Sequence, residues 1–103
     1  MPSILENCEG FEWDEGNSNK NWHRHRIMDS ECEEIFSNFP LSVVIDKGHS
    51  NREQRFQALG LTNSKRRLFV AFTIRGPMIR VISAREMNKK ETCRYEEEIK
   101  RNT

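Results

Sequence analysis

The chain has 103 residues, 35% hydrophobic and 32% charged, which suits one small domain with a thin core and a heavily charged surface. Six Phe, two Trp and alternating aliphatic runs exclude wholesale disorder. No apolar run has the length of a transmembrane helix, and the start MPSILENCEG lacks the basic end and long apolar segment of a signal peptide, so a soluble cytoplasmic protein is expected.

The cysteines, Cys8, Cys32 and Cys93, are odd in number and form no C-x-x-C pair, which fits reduced thiols. Three His are too few for a grouped ligand set, so no metal and no cofactor is expected. The net charge of +1 hides an asymmetry. Residues 1–51 hold 4 Lys/Arg and 10 Asp/Glu, whereas residues 52–103 hold 13 and 6. Either the basic half is the footprint of a polyanion or acidic partner, or the two halves neutralise each other across the fold.

In chain order, residues 1–10 read as irregular. Phe11-Glu12-Trp13 alternates like a short edge strand. Asp14 is placed to cap a helix over residues 15–26, although Gly16, Asn17, Ser18, Asn19 and Asn21 are poor helix formers. Ser30-Glu31-Cys32-Glu33 has the form of a capping box. Cys32, Ile35, Phe36 and Phe39 then make one apolar helical face, ended by Pro40.

Strands follow at 41–46, 55–61, 68–75 and 79–85, separated by turn residues at Lys47–Asn51, Thr62–Lys65 and Gly76-Pro77. The apolar run from Leu68 predicts cover on both faces. The last helix starts near Asn88, with Asn88-x-x-Glu91 as its cap, Met87 as staple, and Tyr95 and Ile99 as its apolar seam. Residues 102–103 are a tail. The pattern is α+β: a short N-terminal strand and an antiparallel four-stranded meander, packed with two N-terminal helices and one C-terminal helix.

Arg75, Arg80 and Arg85 need a reason, because a guanidinium is rarely buried unpaired. They hold structural ion pairs or they line an anion site. A two-residue turn at Gly76-Pro77 would set Arg75 opposite Met78 and Thr73 opposite Arg80 on one face, with Arg85 leaving from the other.

Several segments together are similar to the BrnT family of bacterial type II toxin–antitoxin toxins. They are Phe11-Glu12-Trp13-Asp14, Asn21-x-x-Arg24-His25, His49-Ser50 with Glu53-x-Arg55, Thr73-x-Arg75, and Ile79-Arg80-Val81-Ile82-Ser83-Ala84-Arg85 followed by Glu91-x-x-x-Tyr95. The similarity runs from Phe11 to Tyr95 over one toxin domain, leaving residues 1–10 outside. Arg24 stands where the family usually has lysine, and the hairpin turn is Gly-Pro rather than a freer Gly-rich one.

The resemblance implies a RelE-like fold and an RNA-cleaving toxin that stops translation and restrains growth. It also implies neutralisation by a BrnA-like ribbon-helix-helix antitoxin, with operator DNA engaged only through that antitoxin. Metal-independent cleavage needs a base, an acid and a cation for the phosphorane. Arg80 is the candidate for charge stabilisation, supported by Arg55, with His49 and Glu53 as proton-transfer groups. Arg75, Arg85, Lys65, Arg24 and His25 are candidate RNA contacts. His49-Ser50 also reads as a locally hydrogen-bonded loop, and Arg85 as a partner of Glu91 or Glu53. Trp13 and Trp22 read as anchors or as base-stacking platforms. The alternative is a non-catalytic interaction module that binds the antitoxin and takes part in repression of its own operon.

Overall fold

Three long strands, one of them apolar on both faces, make a sheet that must be covered on both sides. The computed structural model describes residues 3–49 and 52–101; the side chains of Ser3 and His49 lie outside that description. A 3-10 turn at Ser3–Leu5 precedes β1 (Gly10–Phe11), α1 (Lys20–His25) and α2 (Asp29–Ser37). β2 (Ser42–Ile45), a 3-10 turn at Lys47–His49, β3 (Arg55–Leu61), β4 (Arg67–Arg75), β5 (Met78–Glu86) and α3 (Lys89–Arg101) complete the order. The sheet order is β1-β5-β4-β3-β2. The last four strands form the antiparallel meander, and β1 joins β5 in parallel. The α+β architecture is as the sequence predicts.

The β4–β5 turn works because Gly76 takes φ +59°, which Pro77 cannot adopt. Arg75 faces Met78 and Thr73 faces Arg80, as the two-residue turn requires. The register then shifts, with Phe72 opposite Val81 and Ala71 opposite Ser83, so Ile82 is an extra residue in β5. The expected placement of Arg85 is thereby corrected. The bulge reverses the side-chain alternation beyond it, and Arg85 pairs with Phe69 on the face that also carries Thr73 and Arg80.

One face of the sheet packs on α2. Phe36 meets Phe72 edge-on at 5.1 Å, and Phe72 stacks on Phe56 at 5.4 Å. Ile35 lies so close to β3 that a Cβ on Gly60 would come within 2.9 Å of its own Cβ. The opposite face holds a smaller cluster of Leu59, Phe69 and Tyr95, joined by Met87 and Ile99. The cap of α3 forms as predicted: Glu91 Oε1 accepts from Asn88 N–H, and Asn88 Oδ1 from Glu91 N–H.

Helix boundaries differ from the sequence reading in three places. Residues 15–19 are turns and α1 begins only at Lys20, as the poor propensities of that segment favour. At α2 it is Glu31, not Glu33, that reaches back, accepting from the Met28 N–H at 3.0 Å. Glu33 is drawn to Trp13, whose Nε1–H donates to it at 2.7 Å. The helix ends at Ser37, so Phe39 leaves the apolar face and is 80% exposed.

Candidate active site

α3 covers the sheet around Leu59, Leu61, Phe69 and Ala71, with Glu96 paired to Arg67. Two residues beyond Ala71 along β4 toward the turn, a row crosses three strands: Arg55 on β3, Thr73 on β4, Arg80 on β5. Thr73 is buried, and its Oγ1–H donates to the Gln54 carbonyl at 2.8 Å. That bond fixes Gln54, just before β3, against the row, and the neighbouring Glu53 lies 3.4 Å from Arg75 Nε.

The guanidinium of Arg80 is held from the N-terminal segment. Parallel pairing carries the chain along β5, with Glu12 N–H bonded to the Ile79 carbonyl. Arg80 Nη1–H then donates to Glu12 Oε1 at 2.9 Å and to Asp14 Oδ2 at 2.8 Å, while Nη2–H donates to Asp14 Oδ1 at 3.0 Å. Asp14 is itself fixed, since Oδ1 accepts from Gly16 N–H. The bond from Arg80, then that from Gly16, hold the Asp14 carboxyl below its ordinary value; Asp14 in turn raises Arg80. Arg75 extends the series, with Nη1 3.5 Å from Glu12 and Nε 3.4 Å from Glu53. The charges thus alternate as Glu53, Arg75, Glu12, Arg80, Asp14.

The loop behind Asp14 stays in place because two asparagines finish the outer edge of β5. β1 pairs only with Met78 and Ile79. Beyond it, Asn17 Nδ2 donates to the carbonyls of Val81 (3.0 Å) and Glu12 (2.9 Å), and the Asn21 Oδ1 accepts from Ala84 N–H (2.9 Å). Buried strand-edge groups need such partners. Two of the residues that spoil helix propensity in this segment, Asn17 and Asn21, therefore act as side-chain substitutes for a neighbouring strand.

The remaining sequence candidates are dispersed. Arg85 lies four residues along β4 from the Thr73 level, about 13 Å away. Its guanidinium is forked onto Glu91 at 2.8 and 2.9 Å and stacked 4.2 Å over Phe69. Lys65 is in the β3–β4 turn at the far end of the sheet, beside a cleft it lines with Arg67, Glu86 and Tyr95. Arg24 and His25 are exposed in the last turn of α1. The next residue, Arg26, accepts Arg66 Nη1 on its carbonyl, which puts this end of α1 near the Glu86 end of β5. The His49 side chain is outside the described residues. Trp13 is an anchor to Glu33; Trp22 is 42% exposed with Arg26 over its ring at 5.3 Å.

Sequence reasoning placed Arg80 and Thr73 together but missed Glu12, Asp14 and Gly16 as their surroundings. The available signal was Glu12 and Asp14 at i, i+2 in an extended segment, which shares a face. The charge asymmetry of the two halves is partly cancelled here. Glu12, Asp14 and Glu31 from the acidic half pair with Arg75, Arg80 and Arg66 from the basic half.

These features define a small α+β protein with an arginine-centred polar site at the open end of a mostly antiparallel sheet. Residues 13–91 match the family described as "Ribonuclease toxin, BrnT, of type II toxin-antitoxin system", and the chain belongs to that family. Membership implies an RNA substrate and an antitoxin partner. The match includes Asp14, Arg80 and Glu91 and ends short of Tyr95. No curated protein matches the chain. Among the described residues no helix is long and apolar enough to cross a membrane.

Proposed function

We propose that this protein is an endoribonuclease of the cytoplasm that cleaves RNA by metal-independent transesterification at the Arg55–Thr73–Arg80 row. A base removes the proton from a ribose 2′-OH, and O2′ attacks the adjacent phosphorus. The P–O5′ bond breaks as an acid protonates the leaving 5′-oxygen. Products carry a 2′,3′-cyclic phosphate and a 5′-hydroxyl. Arg80 stabilises the charge of the phosphorane, with Arg55 supporting it from across Thr73 in the row. His49 and Glu53, which precede Gln54 in the chain, supply proton transfer, and Arg75 contacts the RNA backbone.

The observation that carries this reading is the three-strand row with Gln54 bonded to it and Glu53 at Arg75, in a chain whose family is one of ribonuclease toxins. Arg85 is committed to Glu91 and Phe69, which favours a structural role for it. Lys65, Arg24 and His25, exposed away from the row, suit secondary RNA contacts. A BrnA-like ribbon-helix-helix antitoxin neutralises the toxin, and expression without it slows growth by stopping translation.

The test is incubation of purified protein with a defined RNA in the presence of a chelator. Cyclic-phosphate ends are expected from the wild type. In a soluble, folded Arg80→Ala variant we expect cleavage to fall about 10²-fold or more and growth to recover. Intact RNA beside tight antitoxin binding would identify a non-catalytic interaction module instead.

A further inference from the structure

The contacts of Arg80 can be counted against its donors. A guanidinium has five N–H groups in a fixed plane, and two edges that can grip an anion with paired bonds: Nη1–Nη2 at the end and Nε–Nη2 at the side. Asp14 occupies the end edge with both oxygens, and Glu12 takes the other Nη1–H. Nε–H and the second Nη2–H have no partner among the described residues. They are the side edge, intact and suited to a phosphate.

We propose that Asp14 is a positioning residue for Arg80: it locks the end edge of the guanidinium so that the side edge is presented to the scissile phosphate. The inference rests on the ribonuclease reading above. Three observations support locking over competition for the phosphate. Arg80 is held to 14% side-chain exposure although its partner Asp14 is 57% exposed. Asp14 is not a free carboxylate, because its Oδ1 also accepts from Gly16 N–H, and its backbone N–H and carbonyl are bonded to Asn17 and Ser18. Gly16 leaves the space in which the guanidinium lies. A Cβ there would come 3.0 Å from Arg80 Nη2, the nitrogen shared by both edges, and 3.1 Å from Asp14 Oδ1. The acidic turn and the small residue together set one plane for the guanidinium.

Gly16→Ala is the sharpest probe, because the added methyl meets the far end of a flexible side chain and re-aims Arg80 without burying or exposing a charge. Asp14→Ala removes the lock, and Asp14→Asn keeps an oxygen for Gly16 and Nη2. In folded protein, verified by circular dichroism and melting, we expect kcat to fall about tenfold for Gly16→Ala and Asp14→Ala, and by less for Asp14→Asn. KM should stay unchanged or fall in Asp14→Ala, since a negative charge has been removed from a site that binds RNA. In an Arg80→Lys background, which has no fork to orient, Asp14→Ala should cost almost nothing further.

An undiminished or increased kcat in both folded variants would overturn the proposal and mark Asp14 as a competitor of the phosphate. An equal loss from Asp14→Ala in the Arg80→Lys background would also overturn it, because Asp14 would then act independently of Arg80. A wild type that leaves RNA intact rejects the ribonuclease reading itself, and so separates that failure from failure of the positioning role.

Discussion

Arg85 and Glu91 form a two-point ion pair that ties β5 to the first turn of α3. Nη1 and Nη2 meet Oε1 and Oε2 at 2.8 and 2.9 Å, with the Phe69 ring beneath the guanidinium. Glu91 Oε1 is also the acceptor for Asn88 N–H, so one carboxylate serves the helix cap and the ion pair. Arg85→Ala is therefore expected to destabilise the fold by about 1–2 kcal/mol, the lower part of the range for charge-assisted bonds because Arg85 is partly exposed. RNA cleavage per folded molecule should be unchanged. Urea denaturation alongside a specific-activity assay checks both, and a loss of activity at full stability would return Arg85 to the RNA site.

Asn17 stands in for a missing strand neighbour. It donates to Val81 and Glu12 carbonyls and accepts from Asp14 N–H, joining the edge of β5 to the turn that holds Arg80. Asn17→Ala leaves these buried groups unpaired and should cost about 1–3 kcal/mol. Hydrogen exchange should show the loosening at residues 12–18 and at the outer edge of β5. Uniform protection equal to the wild type would contradict the edge-cap role.

The acid limb of stability follows from two depressed carboxylates. Burial pushes Glu91 up, but hydrogen bonds from Arg85 and Asn88 N–H outweigh it and leave it below the ordinary value. Asp14 is lowered by Arg80 and Gly16. A group whose folded pKa is depressed stabilises the fold above its unfolded pKa, and that contribution disappears as pH falls through the folded one. Melting temperature should therefore fall below about pH 4, the ordinary carboxylate range. The fall should be shallower in Glu91→Gln, which has already lost that contribution at neutral pH. An unchanged slope would exclude Glu91 as a source.

Thiol chemistry reports on the α2 face. Burial, with the nearby Asp29, Glu31 and Glu33 carboxylates adding to it, pushes the Cys32 thiol up to about 12. Cys32 is fully buried and Cys93 is exposed. At pH 8, alkylation followed by mass spectrometry should label Cys93 rapidly and Cys32 only on unfolding. Equal labelling of the two in the native state would mean that α2 does not cover the sheet as described.

Much of this molecule was legible because its signals are local. Short apolar stretches between turn residues marked the four strands of the meander, Gly76 set the hairpin register as far as Val81, and Asn88 with Glu91 announced α3. The failures were also local in form. A capping pattern at Ser30 lost to Glu31 because Trp13, twenty residues earlier, claimed Glu33. A helical face ran on to Phe39 because periodicity does not show where a helix stops.

By itself the sequence determined the α+β architecture, the row that brings Thr73 beside Arg80, and the resemblance that pointed to RNA. Only the tertiary structure decided which groups each arginine contacts. The bulge at Ile82 brought Arg85 to the same face as Arg80 yet left it with Glu91. Arg80 received its carboxylates from residues 66 and 68 positions earlier in the chain. A parallel β1–β5 pairing closes that separation, and no period or propensity along the chain encodes it, because such signals extend over a helical turn or a strand pair.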